Sequence, residues 1–582
     1  MAINRIQLRM ANSTWLIDAM FVLVLAIVIY AIVSFASVAE VEGLGAHASI
    51  NLSPRYLPLY AAMSVGRMLA AYLLSVIFSF GYAYTAAYNK SASKFMVPLL
   101  DILQSIPLLS FMPVVVLTMI ALFHNSRIGI EMAAVVLIFT SQVWNMTFSL
   151  YHSITGIPRE LKETTVAFNL TGWMRFRYLE MPAATMGLVW NSMISWAGGW
   201  FFLMASEMFT LGNRSFQLPG LGSYLQSVSS SKDYSAIIYG LATLVLIIIF
   251  LDRFIWQPLV TWANKFKIEE IEGESQQQVT SPLLRLGQRS VLVRIFIRKI
   301  GMPLVNMIAK LLYAPALKAE RLMLGLAEKR RVRTVSGKVV ISATILVVLL
   351  GVVRAINLLG GLGTDDLFEL VKAAFGSVSR VAIAIAISLT WTLPFGIWVG
   401  MNPKLSRRFQ PFIQITASIP ATALFPIVLL FLIDLPFGLN LAAVLLMVMA
   451  AQWYLLFNII AGASLIPQNL KETSNAFSLR GFERWRVLVL PAIIPNLITG
   501  LITASGGAWN ATIIAEYIRF KDEAPHHVTG LGATIAQAAD KGDFSLLLAA
   551  TLILVGIVVT INRFIWGRIH HTALEKFSME AV

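Results

Sequence analysis

The sequence contains no cysteine and few charged residues. Of its 582 residues, 13% are charged and 57% are hydrophobic, and the mean hydropathy is +0.74. The missing cysteines exclude disulfide bonds and thiolate metal sites, although they leave the cellular compartment open. A soluble domain of this size would carry about a quarter charged residues. The shortage of charge therefore argues against a soluble protein and directs attention to the apolar segments.

The sequence also lacks the motifs that an ATPase or a membrane-embedded enzyme needs. It has no GxxxxGK[ST] phosphate loop, because VSGKVV (335–340) lacks the first glycine and LGGLGTDD (359–366) is typical of a turn. The histidine pairs at 526–527 and 570–571 could bind a metal, but no cysteine accompanies them and we do not expect a metal site there. We therefore expect no catalytic residue, no metal and no cofactor in this chain, and no ATP hydrolysis by it alone.

Long apolar runs are what the sequence has in abundance. Each of the runs 15–37, 337–356 and 546–566 reaches the roughly 20 residues that an α-helix needs to cross a bilayer. The first has no small-residue cleavage site after it, so we interpret it as an uncleaved first span. Counting such runs predicts an all-α polytopic membrane protein with six spans in each half, about 12 transmembrane helices in total. The expected spans are 15–37, 59–86, 98–123, 128–150, 184–206 and 236–257, then 338–358, 373–400, 411–433, 439–462, 492–515 and 545–566.

The distribution of charge predicts the orientation of the chain. The loops at 89–94 and 402–408 are basic, whereas those at 38–43 and 363–370 are acidic. Since basic loops stay on the cytoplasmic side, we expect both termini to be cytoplasmic. The net charge of +15 is then explained by contact with anionic lipid, and a nucleic-acid partner is not needed.

The second half of the chain repeats the first. PRELKETTVAFNLTGWMRFRYLEMPA (158–183) aligns without a gap with PQNLKETSNAFSLRGFERWRVLVLPA (467–492). Further matches join Pro107 to Pro420, and DRFIW at 252–256 to NRFIW at 562–566. The pattern indicates one six-span unit that was duplicated and fused.

The repeat predicts the domain organisation. An even number of spans gives both units the same orientation, so we expect a pseudo-twofold axis along the membrane normal. The first unit should occupy 1–257 and the second 337–582, with a cytoplasmic or interfacial linker at 258–336. Within the linker, 291–314 mixes apolar and basic residues, which fits a helix lying on the membrane or a plain tether.

Two polar loops stand out, the first loop (158–182) and the second loop (467–491). Each begins with a helix too short and too polar to span a membrane, and Gly172 permits a break before a second amphipathic stretch that ends at Pro182. Two short helices meeting at a break make a knob that fits a groove in a partner protein. The plainer alternative is a loop helix that packs under the bundle.

These loops resemble the EAA loop of ABC-importer permeases, the membrane subunits of binding-protein-dependent transporters. The family pattern is Glu-Ala-Ala, a glycine six residues after the glutamate, and Leu-Pro thirteen residues after that glycine. Glu163 with Pro182, and Glu472 with Pro491, keep this spacing. RFRYLEMPA, RWRVLVLPA and GGAWN are most similar to the nitrate/sulfonate/taurine group, and the similarity covers spans 2–6 of both units.

The resemblance implies which loop residues contact an ATPase. The coupling residues carried over to this sequence are Glu163, Thr164, Ala167, Asn169, Gly172 and Pro182 in the first loop, and Glu472, Thr473, Ala476, Ser478, Gly481 and Pro491 in the second. The chain departs from the pattern in two ways. Threonine and serine replace the two alanines, and Asn169 and Ser478 stand where the family has glycine. Asparagine accepts a left-handed backbone readily and serine less so.

The resemblance also implies a function: the permease core of an ABC importer in the bacterial inner membrane, working by alternating access. The implied partners are two ATPase subunits, which bind ATP and Mg²⁺, and a periplasmic or lipid-anchored substrate-binding protein. The solutes of the similar group are oxyanions such as nitrate, a sulfonate (taurine) or bicarbonate. The alternative is a self-contained secondary transporter or channel, which would need ion-coupling carboxylates in the middle of the spans, where this sequence has almost none.

Four charged residues are candidates for the solute pathway. Arg67 and Arg380 lie inside span 2 of each unit, and Glu207 and Glu516 close span 5. An arginine inside a membrane is costly unless it is paired or wetted. Two interpretations stay open: a duplicated positive site that helps anions enter, or an Arg–Glu pair that joins spans 2 and 5. Further candidates in span 5, which lines the cavity in the family, are Trp200, Asn191, Trp509 and Asn510.

Overall fold

The computed structural model describes residues 50–266 and 353–577, apart from 108–109, 111, 124–126, 171, 212–213, 232 and 519–525, together with residues 299, 303 and 307. The predicted span 15–37 and nearly all of the linker lie outside the described residues. The predicted span 338–358 lies outside them except for 353–358, which are helical.

The first unit is a set of helices that run back and forth, with one small hairpin after the fifth span. Two wide, π-helical turns interrupt it, at Phe176–Glu180 and at Asp252–Trp256. Its elements are α1 Leu57–Tyr88, α2 Lys90–Ser105, α3 Met112–Leu122, α4 Arg127–Thr155, α5 Arg159–Ala167, α6 Gly172–Arg175, α7 Met181–Glu207, β1 Met208–Leu211, β2 Arg214–Gln217, α8 Leu221–Ser230, α9 Tyr234–Leu251 and α10 Gln257–Ala263.

The second unit repeats this order element by element, including the π-helical turns, here at Trp485–Val489 and Ile561–Trp566. The matched local signals explain the matched helices: Asp233 and Asp543 cap α9 and α19 by accepting hydrogen bonds from backbone N–H groups of the first turn. Its elements are α11 Thr364–Gly400, α12 Pro403–Ser418, α13 Ala421–Leu432, α14 Gly438–Ser464, α15 Gln468–Ala476, α16 Gly481–Arg484, α17 Leu490–Glu516, β3 Tyr517–Ile518, β4 His526–His527, α18 Leu531–Lys541, α19 Phe544–Thr560 and α20 Gly567–Phe577.

Most of the predicted spans are present as long apolar helices, as expected for an all-helical membrane protein. Within the described residues, seven helical segments are long and apolar enough to cross a membrane. They cover the predicted spans 59–86, 128–150, 236–257, 373–400, 439–462, 492–515 and 545–566. The predicted span 184–206 lies within the 27 residues of α7.

The predicted third span of each unit, at 98–123 and at 411–433, is interrupted by a break that the apolar run did not predict. In the second unit the helix stops at Ser418, restarts at Ala421 and bends by 72° at the break. In the first unit α2 stops at Ser105, and α3 has only 11 residues, about 16 Å of helix. Both breaks coincide with the matched Pro107 and Pro420. A proline disfavours helical geometry at the residue before it and donates no backbone hydrogen bond.

The hairpins and short helices after the fifth spans were not predicted. β1 pairs antiparallel with β2, Met208 opposite Gln217, and β3 pairs with β4, Tyr517 opposite His527. The helices α8 and α18 follow, and their apolar side chains are buried, including Leu221, Tyr224 and Leu531. Each hairpin and short helix thus returns into its own unit, at the end of the bundle opposite the two loops.

The cores of the two units meet. In each unit the fourth span packs between the second and the fifth, and Gly400 permits the close approach of α11 to α14 because a side chain there would press on Ala463. Phe202 of the first unit packs in the core of the second, and Ala423 of the second packs in the core of the first. Thr422 Oγ1 also donates to the carbonyl of Phe201, 3.0 Å away.

Candidate functional sites: two matched loops and two buried clusters

The first and second loops have the same backbone. Each starts with a nine-residue helix after a proline, Pro158 or Pro467. Each helix ends in a Schellman motif. In the first loop, the N–H of Leu170 donates to the carbonyl of Thr165 (2.9 Å), and that of Asn169 donates to the carbonyl of Val166 (2.9 Å). The second loop repeats these two bonds at the matching positions, at 3.0 and 2.9 Å.

The two departures from the family glycine fall on the left-handed residue of this motif. Asn169 has φ 48° and Ser478 has φ 55°. This is the helix-ending position that usually carries glycine, since a side chain strains a left-handed backbone. The chain therefore keeps the left-handed turn in both loops without glycine, the residue that adopts this backbone with the least strain. Gly481, at φ 54°, supplies a second left-handed residue in the second loop.

The side chains of the loop helices divide into a buried and an exposed set. Thr165 and Ser474 are buried, whereas Glu163 and Glu472 are exposed. Phe168 is 74% exposed and its match Phe477 is 75% exposed. Val166, on the same turn as Phe168, is 70% exposed, and an exposed apolar patch rimmed by polar residues is typical of a surface that a partner covers.

The remaining coupling residues take structural positions in the loops. Thr164 and Thr473 each donate from Oγ1 to the backbone carbonyl one turn earlier, at 2.7 and 2.8 Å. Ala167 and Ala476 are the last residues of α5 and α15, and both are exposed. Gly172 begins α6, while Pro182 and Pro491 lie in the first turns of α7 and α17. Their role in coupling stays a prediction.

The base of the first loop is held by a buried carboxylate that sequence reasoning missed. Glu180, at the end of a π-helical turn, is 2% exposed. It accepts hydrogen bonds from the hydroxyls of Tyr84 and Tyr88 on α1 and from Arg175 Nε, 2.7 Å away. The guanidinium of Arg175 also lies over the ring of Tyr88. Glu180 thus ties the first loop to span 2.

The base of the second loop has no such carboxylate. The repeat matches Glu180 to Val489, Tyr84 to Ile397 and Tyr88 to Met401, so the polar contacts become apolar ones. Arg484, the match of Arg175, keeps a buried Nε without a hydrogen-bond partner among the described residues. Burial and the nearby charge of Arg484 lower the pKa of Lys471. The sequence signal for this difference was the joint change of Glu180, Tyr84 and Tyr88 to apolar residues in the second unit.

At the other end of each unit, the candidate Arg and Glu residues form ion pairs. Arg67 Nη1 lies 2.7 Å from Glu207 Oε1, and both side chains are fully buried. Arg67 also binds Glu131 on α4 through two nitrogens, at 2.6 and 2.8 Å. In the second unit Arg380 Nη1 lies 2.8 Å from Glu516 Oε1. Its Nε donates to the amide oxygen of Asn440, 3.0 Å away, which takes the place of Glu131.

Each of these clusters clamps the short helix that follows the hairpin. Glu207 Oε2 accepts from the N–H of Gly222 (2.7 Å), and Ser64 Oγ accepts from the N–H of Leu221 (2.9 Å), in the first turn of α8. Glu516 and Ser377 make the same two bonds to α18, both at 2.8 Å. A carboxylate is favourable at a helix N-terminus, where N–H groups lack partners. A side chain at Gly220 would overlap the Glu207 carboxylate.

The other pathway candidates lie in varied surroundings. Trp200 and Trp509 are 1% and 2% exposed and belong to the two cores. Asn191 donates from Nδ2 to the carbonyl of Gly187, 3.0 Å away, and is partly buried. Asn510 is partly buried too. Their part in transport stays a prediction.

Comparison with known proteins settles the family. Two segments, 76–255 and 392–568, match the family described as binding-protein-dependent transport system inner membrane component. They cover more than half of the chain, one in each unit. The chain belongs to this family. The two matches agree with the internal repeat. Members of this family are membrane components of transport systems.

Individual relatives match one permease unit in length. A bicarbonate transport system permease protein, CmpB, of Synechococcus elongatus is 28% identical over 190 residues, 32% of this chain and 64% of the relative. The nitrate import permease protein NrtB of Leptolyngbya laminosa is 28% identical over 199 residues, 34% of this chain and 66% of the relative. The taurine transport system permease protein TauC of Escherichia coli is 25% identical over 185 residues, 31% of this chain and 60% of the relative. Each alignment therefore spans less than two thirds of the relative's own length.

Proposed function

We propose that this chain is the transmembrane core of an ABC importer and that each of its two loops docks on one ATPase subunit. The observation that carries the proposal is the match between the loops. Helix length, Schellman turn and the exposure of Phe168 and Phe477 agree between two segments whose sequences differ at many positions. Two equal docking surfaces fit a pair of ATPase subunits that pull on both units together.

The partners supply what this chain does not. ATP and Mg²⁺ bind to the ATPase subunits, and a substrate-binding protein delivers the solute to the opposite face. Both termini and both loops face the cytoplasm in this arrangement, in line with their basic flanks. ATP-driven closure of the ATPase pair then moves the units between outward-open and inward-open states. The boundaries at 257 and 337, with a cytoplasmic linker between them, belong to the same proposal.

The solute is a small oxyanion in this proposal. The support comes from relatives named for bicarbonate, nitrate and taurine transport. Arg67 and Arg380 are poor candidates for direct contact with the solute, because buried carboxylates already neutralise them. Asn191 and Asn510, which are only partly buried on the fifth spans, are better ones. Amide N–H groups can donate to an anion without the cost of burying a charge.

Charge reversal in the loops tests the docking. The double variant Glu163→Lys/Glu472→Lys should lose copurification with the ATPase subunit, and each single variant should lose part of it. Glu369→Lys is the matched control, since it makes the same charge change on an exposed side chain in the predicted outer region. Docking through the loops is wrong if the double variant copurifies as well as Glu369→Lys does.

A further inference from the structure

The two units contact each other through a buried carboxylate. Asp252, directly after α9, is 6% exposed. Gln414 on α12 of the second unit donates from Nε2 to Asp252 Oδ1 (3.2 Å), and Gln257 donates to Oδ2 (2.9 Å). Arg253, next in sequence, donates to Gln257 Oε1 instead (2.6 Å). The carboxylate is therefore held by two amide groups, one of them from the other unit.

The repeat places a different combination of residues at the matching contact. Asp101 on α2 corresponds to Gln414, and Asn562 corresponds to Asp252. The helix that carries Asp101 packs against α19, which leads to Asn562, just as α12 packs against α9. Each contact region between the units is thus assigned one aspartate and one carboxamide. In one region the aspartate follows the sixth span and the carboxamide lies on the third span, and in the other region these positions are exchanged.

We propose that these four positions make the two units selective for each other and unable to pair with a copy of themselves. A second copy of the first unit would bring aspartate, in place of Gln414, against Asp252. Two carboxylates at hydrogen-bonding distance away from water repel each other, and one must take up a proton. A second copy of the second unit would place asparagine against glutamine and lose the bonds to a charged acceptor. The mixed pair instead gives Asp252 an amide donor from the other unit, so the interface rejects the wrong partner by repulsion.

The first experiment uses the full-length chain with a protease site inserted at 268–282 and an affinity tag at one end. The purified, folded chain is cut, and the fraction of the untagged unit that stays bound is measured over time. We expect Gln414→Asp to release the second unit about tenfold faster, and Asp252→Asn/Gln414→Asp to restore retention, because it copies the order of the other contact.

A neutral variant separates repulsion from loss of a hydrogen bond. Gln414→Met removes the amide but adds no charge, and it leaves Asp252 bonded to Gln257. It should release the second unit far less than Gln414→Asp does. Equal release by the two variants, or no recovery in the Asp252→Asn/Gln414→Asp chain, would overturn the proposal.

The matching contact gives an independent test. Asn562→Asp should weaken retention after cutting, and Asp101→Gln should restore it in the same chain, since the pair then copies Asp252 and Gln414. If Asn562→Asp has no effect, the four positions do not act as two matched contacts, and the proposal fails in that form.

An exchange measurement tests self-pairing itself. Chains with two different tags on the first unit are cut, mixed and purified through one tag. Wild-type first units should not copurify with one another. With Asp252→Asn they should, because the amide introduced by this substitution can donate to Asp101 of a second copy. Equal copurification of first units from the wild type and the variant would contradict selectivity.

Discussion

The two units have the same backbone arrangement but stabilise it with different side chains, and the clusters around Arg67 and Arg380 show this most clearly. Arg67 binds two carboxylates, Glu131 and Glu207, whereas Arg380 binds one carboxylate and the amide of Asn440. Arg127 lies close enough to Glu131 to interact with it electrostatically, and its match in the second unit is Pro436. Compared with the second unit, the first unit therefore has one additional acid, Glu131, and one additional base, Arg127. The net charge of the two clusters stays the same although the residues differ.

The bases of the loops differ in the same manner. The first loop is tied to span 2 by the carboxylate of Glu180, and the second by apolar contacts around Val489. Both arrangements support the same helix, the same Schellman motif and the same exposed phenylalanine. The two loops thus share their backbone geometry. The side chains that support this backbone differ, and they change together from polar in the first unit to apolar in the second.

The largest expected effect comes from removing the buried arginines. Arg67→Gln leaves two buried carboxylates without their cation and should destabilise the chain by about 3–5 kcal/mol. Arg380→Gln leaves only Glu516, so its cost should be about 1–2 kcal/mol smaller. Denaturant unfolding of the purified chain in detergent measures both. Adding Glu131→Gln to Arg67→Gln should bring the free energy of unfolding of that chain closer to that of Arg380→Gln.

A different outcome would revive the anion-entry interpretation of these residues. If the Arg67→Gln chain unfolds like the wild type but transports poorly, Arg67 acts on the solute and not on the packing of spans 2, 4 and 5.

The next effect is local to the first loop. Glu180→Val leaves Tyr84, Tyr88 and Arg175 without their acceptor, a loss of about 2–3 kcal/mol. Amide hydrogen exchange in 159–176 should become at least about tenfold faster, while exchange in 468–485 stays unchanged as an internal control. The triple variant Tyr84→Ile/Tyr88→Met/Glu180→Val copies the second unit and should recover much of the protection.

Tyr178→Phe is the matched control for that experiment, because Tyr178 is 65% exposed and close in sequence. Equal acceleration of exchange in both loops would mean that Glu180 supports the whole fold, and the asymmetry of the loops would lose its basis.

The smallest effect concerns the left-handed turn residues. Ser478→Gly should stabilise the second loop by about 0.5–1 kcal/mol, since serine strains a backbone with positive φ. Asn169→Gly should change the first loop by less than about 0.5 kcal/mol, because asparagine tolerates that backbone. The free energy of local opening from amide exchange measures both. Ala476→Gly, at the last residue of α15, is the control and should destabilise by less than about 1 kcal/mol. A loss of stability in Ser478→Gly would contradict the strain argument.

Features with a long apolar run or a repeated motif were predictable from the sequence. The lengths of the apolar runs predict seven of the spans. The repeated motif predicts the two loops. The pairing of Arg67 with Glu207 was one of the two interpretations that the sequence left open. The broken third spans were missed, although Pro107 and Pro420 mark the breaks, because a run of apolar residues looks the same whether or not the helix bends. The hairpins are too short to show a periodic pattern.

The partners of Glu131 and Glu180 could not be predicted, since they depend on how each helix is rotated about its axis. The repeat nonetheless contains a usable signal. Both residues are acids in one unit and uncharged in the other, Asn440 and Val489, inside well-matched segments. A charge present in only one copy of a duplicated membrane unit marks a local compensating partner, here Arg127 or Arg175.

The hydrogen bonds that hold the start of α8 limit how the hairpin end of the first unit can move. Glu207 and its hydrogen-bonded neighbours join α1, α4, α7 and the start of α8 at one point. Bodies fastened at a common joint cannot slide past one another separately. Any rearrangement that keeps these bonds must therefore move the four elements together. A relative movement of the two units would then take place at the contact between their cores, where Phe202 and Ala423 pack.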